Sequence, residues 1–257
     1  MINRHHRPQS TAVTEYTLHA AKCKHALRIV ILSDLHRSAP EPVLCAVANC
    51  RPDLILIPGD LMEDLRAPDA AAQNASGMTV LQGAAQLAPV FYAPGNHEKT
   101  ISTFAEKAIA STGAVLLQDC EADCFPGLLI GGLNAHVKEH SRKSIAPNLD
   151  FLCRFGQKKT DRCKVLLCHM PEYYPRYILP QQLDIDLIVS GHAHGGQWRI
   201  GKQGIFAPGQ GIFPKYTAGI HDNRLVISRG LGGMSRVPRI NNPPEVLLLH
   251  LLPQITP

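Results

Sequence analysis

The 257-residue sequence predicts a single α/β domain in which mixed β-sheets are covered by helices. Three observations lead there. Short runs rich in Val, Ile and Leu recur along most of the chain, helix-forming stretches lie between them, and no internal repeat, low-complexity tract or interdomain linker breaks the series. A chain of this length can bury a sizeable core unaided.

The elements follow in order. "MINRHHRPQS" is polar and basic and reads as a flexible tail over residues 1–10, with the single domain spanning 1–257. "TAVTEYTLHA" alternates well enough for an edge strand. "LRIVILS" (27–33), "DLILIPG" (53–59), "PVFYAPG" (89–95), "KVLLCH" (164–169) and "DLIVSGH" (186–192) read as strands buried on both faces. Between them, "EPVLCAVANC", "GMTVLQGAAQLA" and "STFAEKAIAST" carry helix formers at helical spacing, the last capped by Ser102 or Thr103. "GLLIGGLNA" adds a central strand, and after residue 197 the chain turns to strands and glycine-proline loops without a convincing helix.

Composition narrows the function classes. A formal net charge of +5 suits an anionic substrate but lacks the dense Lys/Arg clustering of a dedicated nucleic-acid binder. Eight cysteines form no C-x-x-C pair and follow no signal peptide, which points to a reducing cytoplasm rather than a disulfide framework. Cys45 and Cys168 read as small buried hydrophobes, while Cys120-x-x-x-Cys124 is a weak candidate metal pair. The longest uncharged stretch, 70–96, is broken by Gln73, Asn74, Gln82, Gln86 and Pro89, so no transmembrane span is expected; peripheral membrane contact stays open.

The chemistry sits at the strand ends. The five buried strands finish in "SDLH" (Asp34, His36), "GDLMED" (Asp60), "GNHE" (Asn96, His97), "CHMPE" (His169) and "SGHAHGGQ" (His192, His194). Parallel strands deliver their carboxyl ends to one edge of a sheet, where open α/β folds bind ligands. One such motif means little; five in register mean convergence. Eight donors exceed what one ion needs and suit two ions sharing a carboxylate, a pair about 3.5–4 Å apart in two-metal hydrolases. The mixture of imidazole, carboxylate and amide favours Mn, Fe or Zn over an all-oxygen Ca or Mg cage. Two divalent ions less two aspartates and a hydroxide leave the site net positive, which attracts phosphate.

Taken together, these motifs resemble the calcineurin-like metallophosphoesterase family over about Leu27 to Leu252, and "GHAHGGQW…PKYTAGI…SRGLGG…RINNPPEV" is similar to a bacterial branch typified by membrane-associated phosphohydrolases. The resemblance implies a four-layer fold: two mixed β-sheets packed as a sandwich and flanked by helices. It implies Asp34, His36 and His194 on one ion, Asn96, His169 and His192 on the second, and Asp60 bridging. His97 is implied as a non-ligand that stabilises charge and protonates the leaving oxygen. The expected reaction is attack of a hydroxide bridging the two ions on a phosphodiester or pyrophosphate bond of a phosphorylated small molecule or lipid-linked substrate. A nuclease, a phosphomonoesterase and a non-catalytic scaffold are the alternatives; a scaffold predicts lost ligand residues, and here every position is filled.

Other features are weighed beside these. Glu98 is expected either to orient a histidine or to start a helix. Arg37 and Arg229 are weak substrate-contact candidates; His136 and His140 read as surface residues, and His5, His6, His19, His25, His221 and His250 receive no role. Alternation along an extended chain is expected to aim His192 and His194 the same way, with Gly191, Gly195 and Gly196 allowing a tight turn. The apolar loop 204–220 is expected to pack inward as a structural crossover, the alternative being an exposed patch for a greasy substrate or a membrane.

Overall fold

The computed structural model describes residues 11–65, 69–98, 101–135, 145–233 and 238–254. The expectations for the 1–10 tail and for His5, His6, His136 and His140 fall outside these residues. In chain order the elements are β1 (Ala12–Ala20), β2 (Leu27–Ile31), α1 (Pro40–Cys50), β3 (Leu54–Ile57), α2 (Ala70–Ala85), β4 (Val90–Tyr92), α3 (Thr103–Ser111), β5 (Val115–Leu116), β6 (Cys120–Ala122), β7 (Leu128–Leu133), α4 (Leu149–Gln157), β8 (Cys163–Cys168) and β9 (Leu187–Ser190). Short strands β10 (Arg199–Ile200), β11 (Gln203–Gly204), β12 (Phe206–Ala207) and β13 (Gly211–Ile212) come next. Then β14 (Gly219–His221), β15 (Leu225–Ile227) and β16 (Glu245–Pro253) complete the chain.

Two six-stranded mixed sheets form the centre, ordered β1-β16-β2-β3-β4-β5 and β14-β15-β9-β8-β7-β6. The period-2 geometry of a strand sends alternate side chains to opposite faces, and the apolar sequence uses both. Ile29, Ile31, Leu54 and Leu56 of the first sheet meet Ile130, Val165, Leu167 and Val189 of the second in the core between the sheets. Their neighbours Val30, Ile55 and Val90 face outward under α1, α2 and α3. On the far side, Leu129, Leu166 and Ile188 pack under Phe151, Leu152 and Phe155 of α4. The order is helix, sheet, sheet, helix, the expected four-layer architecture. β1 lies at the sheet edge, as its alternation predicts, paired parallel with β16.

Several expectations need correcting. α4 is a helix that the sequence reading passed over, a nine-residue element with one apolar stripe. Its signal is Asn148, whose side chain accepts from the Phe151 amide at 3.0 Å as an N-cap. Asn148→Ala is expected to cost about 1 kcal/mol of stability, measured as a shift in urea midpoint. α2 starts at Ala70, seven residues earlier than its apolar periodicity indicated, because buried Asn74 bonds within the helix to the Ala70 carbonyl and outward to the Glu63 amide. Cys45 is exposed: the inward stripe of α1 is Val43, Ala46, Val47 and Cys50, which leaves Cys45 on the outer face. Cys168 is buried as expected, whereas Cys120 and Cys124 are exposed.

The 204–220 loop does not simply pack inward. It is built as short hairpins whose alternate residues face opposite ways, so Ala207 and Tyr216 are buried while Phe206, Ile212 and Phe213 are exposed. Among the described residues, no helix is long and apolar enough to cross a membrane.

Candidate metal centre

β2, β3 and β4 run parallel in one sheet and β8 and β9 parallel in the other, so five strand ends open on one edge of the sandwich. The residues just beyond them come together at that edge. Donor atoms of Asp34, His36 and His194 lie within 4.8 Å of one another, and so do those of Asp60, His169 and His192. A third grouping joins His36, Asp60 and His97. Ring contacts tie the set together: His36 stacks on His194 at 5.3 Å between centroids, and His169 meets His192 edge-on at 5.1 Å.

The loops brace one another through backbone amides. His192 N–H donates to both Asp34 carboxylate oxygens at 3.1 Å, and His97 N–H donates to Asp60 Oδ1 at 2.8 Å. Ser33 Oγ donates to Asp34 Oδ2 at 2.6 Å. This crossing leaves no room for side chains at two positions. A methyl group on Gly95 would overlap Asp60 Oδ1, and one on Gly191 would overlap Ser33 Oγ. Asp34, His36, Asp60, His192 and His194 all adopt left-handed φ, between 46° and 64°. Non-glycine residues seldom do so, and such strain gathers at functional sites whose surroundings over-determine it.

That backbone corrects the account of "SGHAHGGQ". β9 ends at Ser190, so His192 and His194 do not alternate along an extended strand. They are two left-handed residues flanking a right-handed Ala193, and a tight 3₁₀ turn over His194–Gly196 follows. The amide of Asn242 secures this turn, donating to the carbonyls of His194 and Gln197.

The donors suit metal ions. His169 Nδ1 donates to the Pro58 carbonyl at 3.0 Å and His194 Nδ1 to that of Gly232 at 3.3 Å, so each ring keeps Nε2 free as a ligand. His169 Nε2 approaches Asp60 Oδ2 to 3.2 Å without making a hydrogen bond, and Asn96 Oδ1 is likewise buried without a partner. Buried polar atoms without a partner cost stability, and a bound cation would supply one to both. Burial holds the pKa of His192 down to about 3 and that of His194 to about 4, which keeps both imidazoles neutral and able to ligate. His169 goes the other way: burial opposes its charge, but Asp60 outweighs that and lifts it to about 9.

Three residues did more than the sequence reading foresaw. Glu63 accepts from His97 Nδ1 at 2.9 Å and from His36 Nδ1 at 3.2 Å, and these two bonds hold its pKa far below the usual carboxylate range. Its signal was present in "GDLMED", three residues after Asp60. Glu98 neither orients a histidine nor starts a helix. Wholly buried, it accepts from the amides of Asp60, Met62 and Gly95 and from Tyr92 Oη, stapling the second strand-end loop to the third. Arg239 donates to the carbonyls of Arg229, Gly230 and Gly232; the last is also the acceptor that fixes His194.

The remaining candidates are held elsewhere. Arg37 is exposed and donates to Gln73 Oε1 at 2.8 Å. Arg229 is committed to Glu245 at 2.6 Å and to Thr14 at 2.9 Å, at the seam of β1 and β16. His97 is half exposed, with Nε2 4.0 Å from Asp60 Oδ2. Burial pushes its pKa down, but the Asp60 and Glu63 carboxylates outweigh that and raise it to about 9.

Comparison with known proteins agrees with this geometry. The calcineurin-like phosphoesterase domain profile matches residues 27–196. The chain is 27% identical over 247 residues to phosphodiesterase YaeI of Escherichia coli, covering 88% of this chain and 82% of that protein. It is 23% identical over 261 residues to an uncharacterized metallophosphoesterase of Helicobacter pylori, covering 94% of this chain but only 64% of that relative's length. It is also 24% identical over 270 residues to the uncharacterized metallophosphoesterase YkuE of Bacillus subtilis, covering 96% of this chain and 88% of that one. With a family profile matching well over half its length and the metal-binding residue types gathered at one sheet edge, this chain belongs to the calcineurin-like phosphoesterase family.

Proposed function

We propose that the protein is a two-metal phosphohydrolase that cleaves a phosphodiester or pyrophosphate bond. The observation that carries this reading is the pair of donor clusters, Asp34–His36–His194 and Asp60–His169–His192, built at one site. Asp34, His36 and His194 would hold one ion; His169, His192 and the buried Asn96 oxygen would hold the second, with Asp60 between them. Two such ions, drawn from Mn, Fe or Zn, would supply a nucleophilic water near neutral pH and neutralise phosphoryl charge. Membership of the calcineurin-like phosphoesterase family supports a phosphoryl substrate, and the likeness to a relative named a phosphodiesterase supports the diester preference. All eight cysteines are free thiols, which supports a reducing, cytoplasmic setting.

The chain's own residues have distinct parts. Asp34 and Asp60 are fixed by amides of neighbouring loops and present oxygens without rearrangement. His97 stands at the open side of the site with Nδ1 bonded to Glu63, so its Nε2 proton is the one available to a leaving oxygen. The test is a metal-reconstituted panel of phosphomonoester, phosphodiester, nucleotide-sugar pyrophosphate and single-stranded DNA, read with elemental analysis. Hydrolysis of small diesters or pyrophosphates supports the reading; DNA cleavage with silence on small diesters overturns it in favour of a nuclease.

The acid role has a pH signature. A leaving-group acid acts only while protonated, and the raised pKa of His97 keeps it so up to about pH 9. Bound cations lower that value, so the basic limb of kcat/KM falls at or below pH 9. Glu63→Gln removes one of the three carboxylates, Asp60, Glu63 and Glu98, that raise His97, and is expected to move that limb down by about one pH unit or more. An unmoved limb in the Glu63→Gln profile would refute the coupling.

A further inference from the structure

We propose that the tips of the β10–β11 and β12–β13 hairpins, together with Trp198, form a surface that docks on an anionic lipid bilayer. Ile200 is 74% exposed, Ile212 72% and Phe213 65%, with Trp198, Phe206 and Ile240 also exposed beside them. Backbone bonds make this one continuous patch. Phe206 pairs directly opposite Ile212, Phe213 N–H donates to the Ile205 carbonyl at 2.8 Å, and Ile205 N–H donates to that of Trp198 at 2.8 Å. A bridge joins Trp198 to Ile240. Isolated exposed apolar residues need no explanation, but a contiguous group of six side chains marks a contact surface.

Backbone strain holds two of these side chains outward together. Phe213 takes a left-handed φ of 50°, unfavourable for a bulky aromatic residue, and this breaks the strand alternation that would have hidden one of Ile212 and Phe213.

Charge selects the occupant. From Leu187 to His221 the sequence holds no aspartate or glutamate. Lys202 at the turn between β10 and β11, and Lys215 just past β13, are exposed, while Arg199 is buried and spent on the Gly195 carbonyl. Apolar tips flanked by lysines and free of acids match a bilayer of negative headgroups over hydrocarbon. The exposed side chains Ile200, Phe206 and Ile212 sit on these two-stranded hairpins, within reach of a flat surface. The lone tryptophan of the chain donates its indole N–H to the Pro238 carbonyl while the ring stays partly exposed, the amphipathic arrangement common at lipid interfaces. Because Trp198 and Ile205 amides bond to the Gly196 carbonyl, docking sets the metal centre close to the headgroups.

The experiment needs no catalysis, so its failure and that of the proposed function are separable. The full chain is mixed with vesicles of phosphatidylcholine alone or with phosphatidylglycerol and followed by co-sedimentation and by fluorescence of Trp198. Binding to the phosphatidylglycerol vesicles, with a blue shift and weakening as salt rises, is expected. Ile212→Ser with Phe213→Ser is expected to lower the partition coefficient about tenfold or more, and Ile200→Ser to lower it separately. Phe104→Ser, at an exposed aromatic on α3, should change nothing. Absence of binding, equal binding to phosphatidylcholine alone, or unchanged binding by the folded double variant overturns the proposal. So does a wild-type dimer that the double variant converts to monomer by light scattering, which would assign the patch to a second copy of the chain.

Discussion

Replacing His97 with alanine is expected to lower turnover by about 10²–10⁴-fold while leaving metal content unchanged. Both halves follow from its position. Its side chain is half exposed at the mouth of the site, and its Nδ1 is bonded to Glu63, so it is placed for proton donation. The ligand atoms of His36 and Asp60 come close enough to include it in a third potential metal grouping, however, and elemental analysis of the variant separates the roles. If metal content falls with activity, His97 is a ligand and the leaving-group acid must be sought elsewhere. Loss of turnover with both ions retained leaves proton donation as the function lost. Leaving groups that need no proton, such as nitrophenolate, should then rescue much of the rate.

Asp60→Asn is expected to have the larger effect, a fall of about 10³-fold or more with metal content reduced from two ions toward one or none, because electrophilic stabilisation by a bound ion is worth several kcal/mol. The carboxylate lies 3.2 Å from His169 Nε2 and 4.0 Å from His97 Nε2, and its pKa is held far below normal, the imidazoles outweighing the opposing effect of burial. Asparagine keeps the shape and can still accept from the His97 amide through its carbonyl oxygen, so a folding defect is not the expected cause. Circular dichroism should therefore match wild type. Full metal content in Asp60→Asn would remove Asp60 from the centre and with it the two-ion reading.

The candidate site was largely legible in the chain because its residues sit at a repeated place, one or a few positions past an apolar run. Asp34, Asp60, Asn96, His169 and His192 each follow a strand that the Val/Ile/Leu pattern marks, and donor atoms of all but Asn96 are found in close groups at one edge. Glu63 and Arg239 were harder to see. Neither follows directly on a strand end; Glu63 is held where α2 packs Asn74 onto its amide, and Arg239 gains its role because its guanidinium folds back to three carbonyls of the 229–232 turn. Glu98 is visible in the chain, but its role is not, since two of its four partners, the amides of Asp60 and Met62, belong to a loop more than thirty residues away.

Local pattern alone determined the alternation of strands and helices, the two-faced burial of β2, β3 and β8, and the set of metal-binding residue types, because periodicity and side-chain chemistry are properties of neighbouring residues. Tertiary structure decided the rest. Of the five left-handed backbones, those at Asp34, Asp60 and His194 are held by amides from other loops that bond their carboxylates or carbonyls. The outward turn of Phe213 depends likewise on its bond to Ile205. Such strain is unfavourable for each residue taken alone, so only long-range hydrogen bonds and close packing can stabilise it, and no short stretch of sequence carries that information.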